Sequence, residues 1–435
     1  MDHMVDNNDD KITQNIDDLY LYDKPFIPSK TEKIALIFSY LIAFLYTYIL
    51  LPSYNETYWY AVTAVFTALF CFLTEVFYRK YEASTESYIW LGCIAVIVAS
   101  MIFDRNRVWG DGFAVLFIHG YAVYWLLNRS GRLTEGRSGP FAPLDVMNGF
   151  FTFPFKYFFL RIKVLWSVLT AKIKKNGSKD SRSGAFIAVL AGVVLFYAAG
   201  ALLASADETF NRIIGGILKY LSFDILSEYS IRFFVSLPIG AYLYGLIIGT
   251  SREEPAILRE KGDYILKRSE ELKKVPAKVW TFILSAFGIM YLLFFFIQGS
   301  YLFGAFSRTL PEGFTVAQYA RQGFFELCWI MGINFLLIWL ITRSSNVDIR
   351  NNRPAMVMCS VILTESLLFA VTAFSKLMLY ISCFGFTPLR LQSAWLICVL
   401  FCGSSLALYS LWTRKRSFQI WIYLSGISLA LMHLY

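Results

Sequence analysis

The chain is predicted to be an all-α protein, a polytopic bundle of about eleven transmembrane helices, and three observations carry that reading. Mean hydropathy is +0.52, 57% of the 435 residues are hydrophobic and only 16% are charged, a balance foreign to water-soluble proteins of this length. Eleven apolar stretches run along the chain, most of them near the roughly 20 residues that cross about 30 Å of hydrocarbon. Basic residues sort between alternate gaps: one set, with the N-terminal tail, holds 31 of the 40 Lys/Arg, and the other holds 9. Such residues are retained on the cytoplasmic side during insertion. The asymmetry therefore predicts a cytoplasmic N-terminus and, with eleven crossings, an external C-terminus.

Residues 1–33 are polar, with Asp2, Asp6, Asp9, Asp10, Asp17 and Asp18, and lack the pattern of a cleavable leader, so they are expected to remain as a cytoplasmic tail. Four stretches (34–51, 58–77, 88–103, 109–127) predict a four-span bundle over 34–128; the third is short enough for a partial crossing. Residues 129–183 form a basic inner segment. There an aromatic run from Phe150 to Phe159 passes into Arg161, Lys163, Trp166, Lys172, Lys174 and Lys175, the mixture expected of an interfacial amphipathic helix on an anionic inner leaflet. A crossing in its place is disfavoured by the cost of Lys156, Arg161 and Lys163. Residues 184–435 carry the remaining stretches (184–204, 231–250, 277–301, 323–342, 355–381, 391–412, 418–435), the last again short enough to be partial. Between them, 252–278 alternates acidic and basic residues around Ile257, Leu258, Ile265, Leu266 and Leu272, a pattern for a solvated amphipathic helix. Pro238 with Gly240, Gly245 and Gly249 predicts a kink and the close approach of a neighbour.

Several function classes lose ground at this level. The net charge of +9 flanks apolar stretches instead of forming a basic patch on a soluble domain, so nucleic acid is not an expected partner and membrane lipid is. Seven cysteines lie within or beside apolar stretches without CxxC spacing, as packing residues. No phosphate-binding loop, HExxH or GxSxG motif occurs, and the three histidines do not cluster, so neither a metal nor a cofactor is expected. No internal repeat marks a transporter built from inverted halves.

Charge within apolar stretches is costly and marks functional candidates. Glu365 lies about 18 Å beyond Arg353, and Asn334 about 14 Å before Arg343 on the preceding stretch, so the two are expected at one depth. Glu326 and Lys376 are expected to meet nearer the outer face. Eleven residues separate Glu365 from Lys376, three turns on one helix face. These four residues predict a two-layer polar seam, which serves either as a lock between helices or as a pathway. His119, mid-stretch, is a midplane candidate: a proton relay or, the favoured reading, a donor to a neighbouring helix. Glu75 and Arg79 have the spacing of a local ion pair.

Three segments carry a resemblance. Thr315-Val316-Ala317-Gln318-Tyr319-Ala320-Arg321-Gln322-Gly323-Phe324, the Leu379-Tyr380 pair followed by Phe384-Gly385-Phe386-Thr387-Pro388-Leu389-Arg390, and Ser205-Ala206-Asp207-Glu208-Thr209-Phe210 together resemble the bacterial membrane family designated domain of unknown function 4153, with its relative 4173. The likeness covers roughly residues 184–416. It implies a multipass protein of the bacterial cytoplasmic membrane and brings no activity with it. By the charge asymmetry, Asp207, Tyr319, Arg321, Tyr380 and Arg390 all fall at the outer face, an expected polar cluster for an anionic group or a partner's acidic loop. Three functions remain in contention: a non-enzymatic partner or sensing subunit of another membrane protein, a permeation pathway for a small solute or ion, and an enzyme on lipid-linked substrates.

Overall fold

The computed structural model describes residues 26–51, 56–103, 111–175, 223–303 and 315–434, with isolated helical positions at 192, 195, 199 and 203. Among these residues the chain is helical, with an isolated bridge pairing Val275 and Ser345. The helices are α1 (Lys30–Leu50), α2 (Glu56–Tyr78), α3 (Thr85–Phe103), α4 (Asp111–Arg129), α5 (Ala142–Met147), α6 (Phe153–Lys156) and α7 (Leu160–Lys175). They continue as α8 (Phe223–Tyr244), α9 (Pro255–Glu271), α10 (Ala277–Phe303), α11 (Val316–Ser344), α12 (Arg353–Phe384), α13 (Pro388–Thr413) and α14 (Phe418–Leu431). Eight of them hold segments long and apolar enough to cross a membrane, and the chain is a multipass membrane protein.

Local chemistry sets the ends. Ser29 and Glu32 close a capping box at the start of α1, and Thr315 and Gln318 do the same for α11, satisfying amides that have no partner in the first turn. Asn352 caps α12 ahead of Pro354, and Gly385 ends it at φ 77°, a backbone that glycine adopts without strain. At 19 residues α3 is long enough for a full crossing, whereas α14, with 14 residues, spans only about 21 Å. The stretch 184–204 lies outside the described residues apart from its isolated helical positions.

The helices sort into two compact units. The first contains α1, α7 and α8, with α1 packed along α8. Pro238 lies inside α8, which runs unbroken to Tyr244 and then passes into a wider π turn at Gly245–Gly249. A side chain at Gly245 would strike the carbonyl of Pro154, and one at Gly249 the ring of Tyr157. The close approach expected of these glycines is thus made to the aromatic inner segment. The second unit contains α2 to α5 and α9 to α14. At its centre α12 packs against α10, α11 and α13, and Phe369 stacks on Phe295 at 4.6 Å and meets Tyr291 edge-on at 5.3 Å.

Candidate functional site

Four polar residues of α12, Glu365, Ser366, Thr372 and Lys376, are buried in this core. At 32 residues the helix is about 48 Å long; Glu365 lies about 5 Å from its midpoint and Lys376 about 11 Å on the other side. Both are buried, Lys376 completely and Glu365 to 3% exposure, as are Ser366, Thr372 and, on α11, Asn334. Asn334 is hydrogen-bonded on both sides. Its side-chain oxygen accepts from the Tyr291 hydroxyl of α10 (2.9 Å), and its Nδ2 donates to Ser366 Oγ (2.8 Å), which itself donates to the Ile362 carbonyl. The expected partner Glu365 sits one residue from Ser366 yet outside this chain: neither carboxylate oxygen has a hydrogen-bond partner. In the other layer Glu326 acts electrostatically on Lys376, while its own side chain is exposed. The Lys376 ammonium lies over Gly323, where a Cβ would collide with it. The structure thus joins Asn334 to Ser366 and to Tyr291 of α10, which sequence reasoning missed, and sets Lys376 in the field of an exposed Glu326, while Glu365 bonds with neither layer.

The outer cluster is described only in part. Asp207 lies outside the described residues. Tyr319 and Arg321 fall in the first turns of α11, with side chains that are likewise outside them. Arg390 and Tyr380 do come together: the guanidinium stacks over the Tyr380 ring at 4.1 Å and donates to the carbonyls of Phe384 (2.9 Å) and Gly385. These carbonyls belong to the end of α12, so Arg390 caps that helix where cations are favoured.

His119 directs Nδ1 to the Val115 carbonyl in its own helix at 2.6 Å and lies along the Phe66 ring of α2. Glu75 pairs with Arg129 of α4 (2.8 and 3.0 Å), not with Arg79; a tertiary contact has displaced the local pair.

Two polar centres were not anticipated. The first is built on the connection after α4, part of the segment read from sequence as basic and on the inner side. Arg129, Ser130, Arg132, Thr134 and Ser138 are all buried. Arg132 donates to the carbonyls of Glu253 (3.0 Å) and Ser251 (3.2 Å) and stacks over Tyr81 at 4.6 Å. Glu86 accepts from the Ser138 amide and from Trp90 Nε1, and Asp145 Oδ1 accepts from the Thr134 amide (2.9 Å) and hydroxyl (2.6 Å). Burial pushes the Asp145 carboxyl up to about 6, against the pull of the Thr134 bonds and with a further push from the negative charges of Glu135 and Glu86. Helix α9 docks on the same connection, Gly262 against Thr134 and Leu258 inward, so only its other face carries the solvated pattern.

The second centre is Arg161, in the first unit. It is 4% exposed, turned away from solvent, with its guanidinium 3.7 Å from the Tyr40 ring centre and Nη1 donating to the Leu237 carbonyl at 2.9 Å. Gly240 leaves the space it occupies. Tyr40 and Gly240 lie near the middle of their spans, so an arginine read as interfacial reaches deep between α1 and α8. At the other end of this pair Arg232 donates to the Thr47 and Leu51 carbonyls that close α1 and pairs with Glu228.

This architecture is that of a multipass helical membrane protein with buried polar interlocks. The chain belongs to the family described as Domain of unknown function (DUF4153), whose model matches residues 91–435. That span begins within α3, well ahead of the stretch whose motifs carry the resemblance. No curated protein and no solved structure matches the chain.

Proposed function

We propose that the protein is a non-enzymatic partner or sensing subunit, held in the bacterial cytoplasmic membrane with its basic connections facing the anionic inner leaflet. The observation that carries this reading is the burial of three of the four seam residues together with their polar neighbours: Asn334, Glu365 and Lys376, with Ser366 and Thr372, are all enclosed by helices of one unit, and Glu326 alone of the seam is exposed. Polar groups packed this way orient helices, whereas a solute path needs them to line water. The docked α9 leaves Tyr264 and Leu272 exposed beside Arg268 and Glu271, a cytoplasmic face on which a partner can rest. Affinity purification from native membranes should bring down a stoichiometric companion. Recovery of the protein alone across several detergents would contradict the proposal.

The second reading, a permeation pathway, rests on Glu365, whose two oxygens lack hydrogen bonds. Flux of an ion or solute through reconstituted protein, lost in Glu365→Gln, would favour it over the first.

A further inference from the structure

We infer that Glu365 is a proton-binding site: its carboxyl carries a proton in the resting protein, and release of that proton loosens α10 from α12. The inference does not depend on whether the protein has a partner. Glu365 is 97% buried near the middle of the longest described helix, and neither of its oxygens receives a hydrogen bond. The polar groups nearest in the core direct their donors elsewhere. Tyr291 donates to Asn334, Asn334 to Ser366, and Ser366 to the Ile362 carbonyl.

The groups facing this position from each packed helix leave the carboxyl without a counter-charge. From α10 come Gly288, whose Cβ would lie 3.8 Å from Oε2, and the Tyr291 phenol, the titratable neighbour; Lys278 is at the far start of that helix. From α11 comes the neutral amide of Asn334, with Arg343 in the last turn and Glu326 level with Lys376. On α13 the charged residue is Arg390, occupied at the opposite end of α12. On α12 itself Lys376 is three turns away, and Arg353 begins the helix. A carboxylate enclosed without donors or a cation is strongly disfavoured, and such a group neutralises instead. A metal cation is a poorer occupant than a proton. Hard cations take six or more oxygens, and among the described residues no cluster of three or more His, Cys, Asp or Glu exists.

Release of the proton breaks the carboxyl O–H bond, hands the proton to water and leaves a carboxylate that needs hydration. On the α10 side a Cβ at Gly288 would lie within 4.0 Å of both carboxyl oxygens, beside Val361, so the α10 backbone comes close to the carboxyl there. Parting α10 from α12 at this contact is the route we assign to water.

Infrared difference spectra of wild type minus Glu365→Gln, taken from about pH 5 to about pH 10 around the ordinary carboxyl and phenol ranges, test this. The carbonyl stretch of a protonated acid should be present at neutral pH and fade only on the alkaline side. Carboxylate bands in its place at neutral pH would overturn the proton site. Should Glu365→Gln fail to fold, Glu365→Asp supplies the same readout as a displaced acid band, and an unchanged band would overturn the assignment. Amide hydrogen exchange of α10 and α12 reads the coupling: it should quicken on the alkaline side in wild type and not in Glu365→Gln, and an equal response in both would refute it.

Discussion

Raising the pH should cost the wild-type fold stability that an Asp145→Asn variant keeps. Asp145 is 1% exposed; Oδ1 holds the Thr134 amide and hydroxyl, and Oδ2 has no hydrogen-bond partner. Burial lifts this carboxyl from 3.8 to about 6. The folded chain therefore binds a proton here more tightly than the unfolded chain does. Between about pH 4 and about pH 6 the folded state carries more protons, so stability falls as pH rises through that window and stays lower above it. A shift of about two units corresponds to about 3 kcal/mol. Asparagine keeps the Oδ1 acceptor and cannot ionise. Denaturant unfolding of the two purified proteins, followed by tryptophan fluorescence at several pH values, should show near-equal stability at the acid end. At neutral pH the variant should lead by about 3 kcal/mol, and the other carboxylates cancel in the difference. Parallel curves across the window, or a wild type that gains on the variant as pH rises, would refute the reasoning.

Asn334→Leu strands the Tyr291 hydroxyl in the core and removes the donor to Ser366, and thermal unfolding should show a loss of about 1–3 kcal/mol; an unchanged midpoint would mean the bonds carry no weight. Gly240→Ala forces the Arg161 guanidinium from its slot and should destabilise by about 1–3 kcal/mol. Arg161→Met should rescue it, because a half-satisfied buried charge exchanges for an apolar chain at little cost, and strictly additive effects in that double-mutant cycle would contradict the contact. A reporter fused after Arg416 should report a cytoplasmic position and one after Glu56 an external position, and reversal of either would overturn the charge asymmetry.

The spans were legible because lipid leaves the backbone no alternative to long apolar helices, and hydropathy reads that requirement directly. Glycines 240, 245 and 249 were legible as places of close approach, but glycine does not name what approaches. Pro154, Tyr157 and Arg161 fill those places, and all three come from a segment whose aromatic and basic mixture fits an interfacial helix equally well. Arg161 was misplaced because composition does not show which way one side chain turns. Glu75 was given to Arg79 because i,i+4 spacing is visible in one dimension, while Arg129, 54 residues on, becomes its neighbour only when α2 and α4 pack. Seam depth followed from counting 1.5 Å per residue, which brought Asn334 to Ser366, one position from the expected Glu365. Depth alone does not set the rotation that gives Ser366 the bond, nor does it bring in Tyr291 of α10, which donates to the other side of Asn334.

The closed seam is tested most directly by the access of water to position 365. With the seven native cysteines replaced, a Glu365→Cys variant in sealed vesicles can be exposed to a membrane-impermeant maleimide from either side. The burial of Glu365 among α10, α11 and α12 leads to the expectation of no labelling from either side in the intact protein, with full labelling after denaturation. Rapid labelling of the folded protein from one side would contradict a lock and establish a hydrated pathway reaching the middle of the membrane.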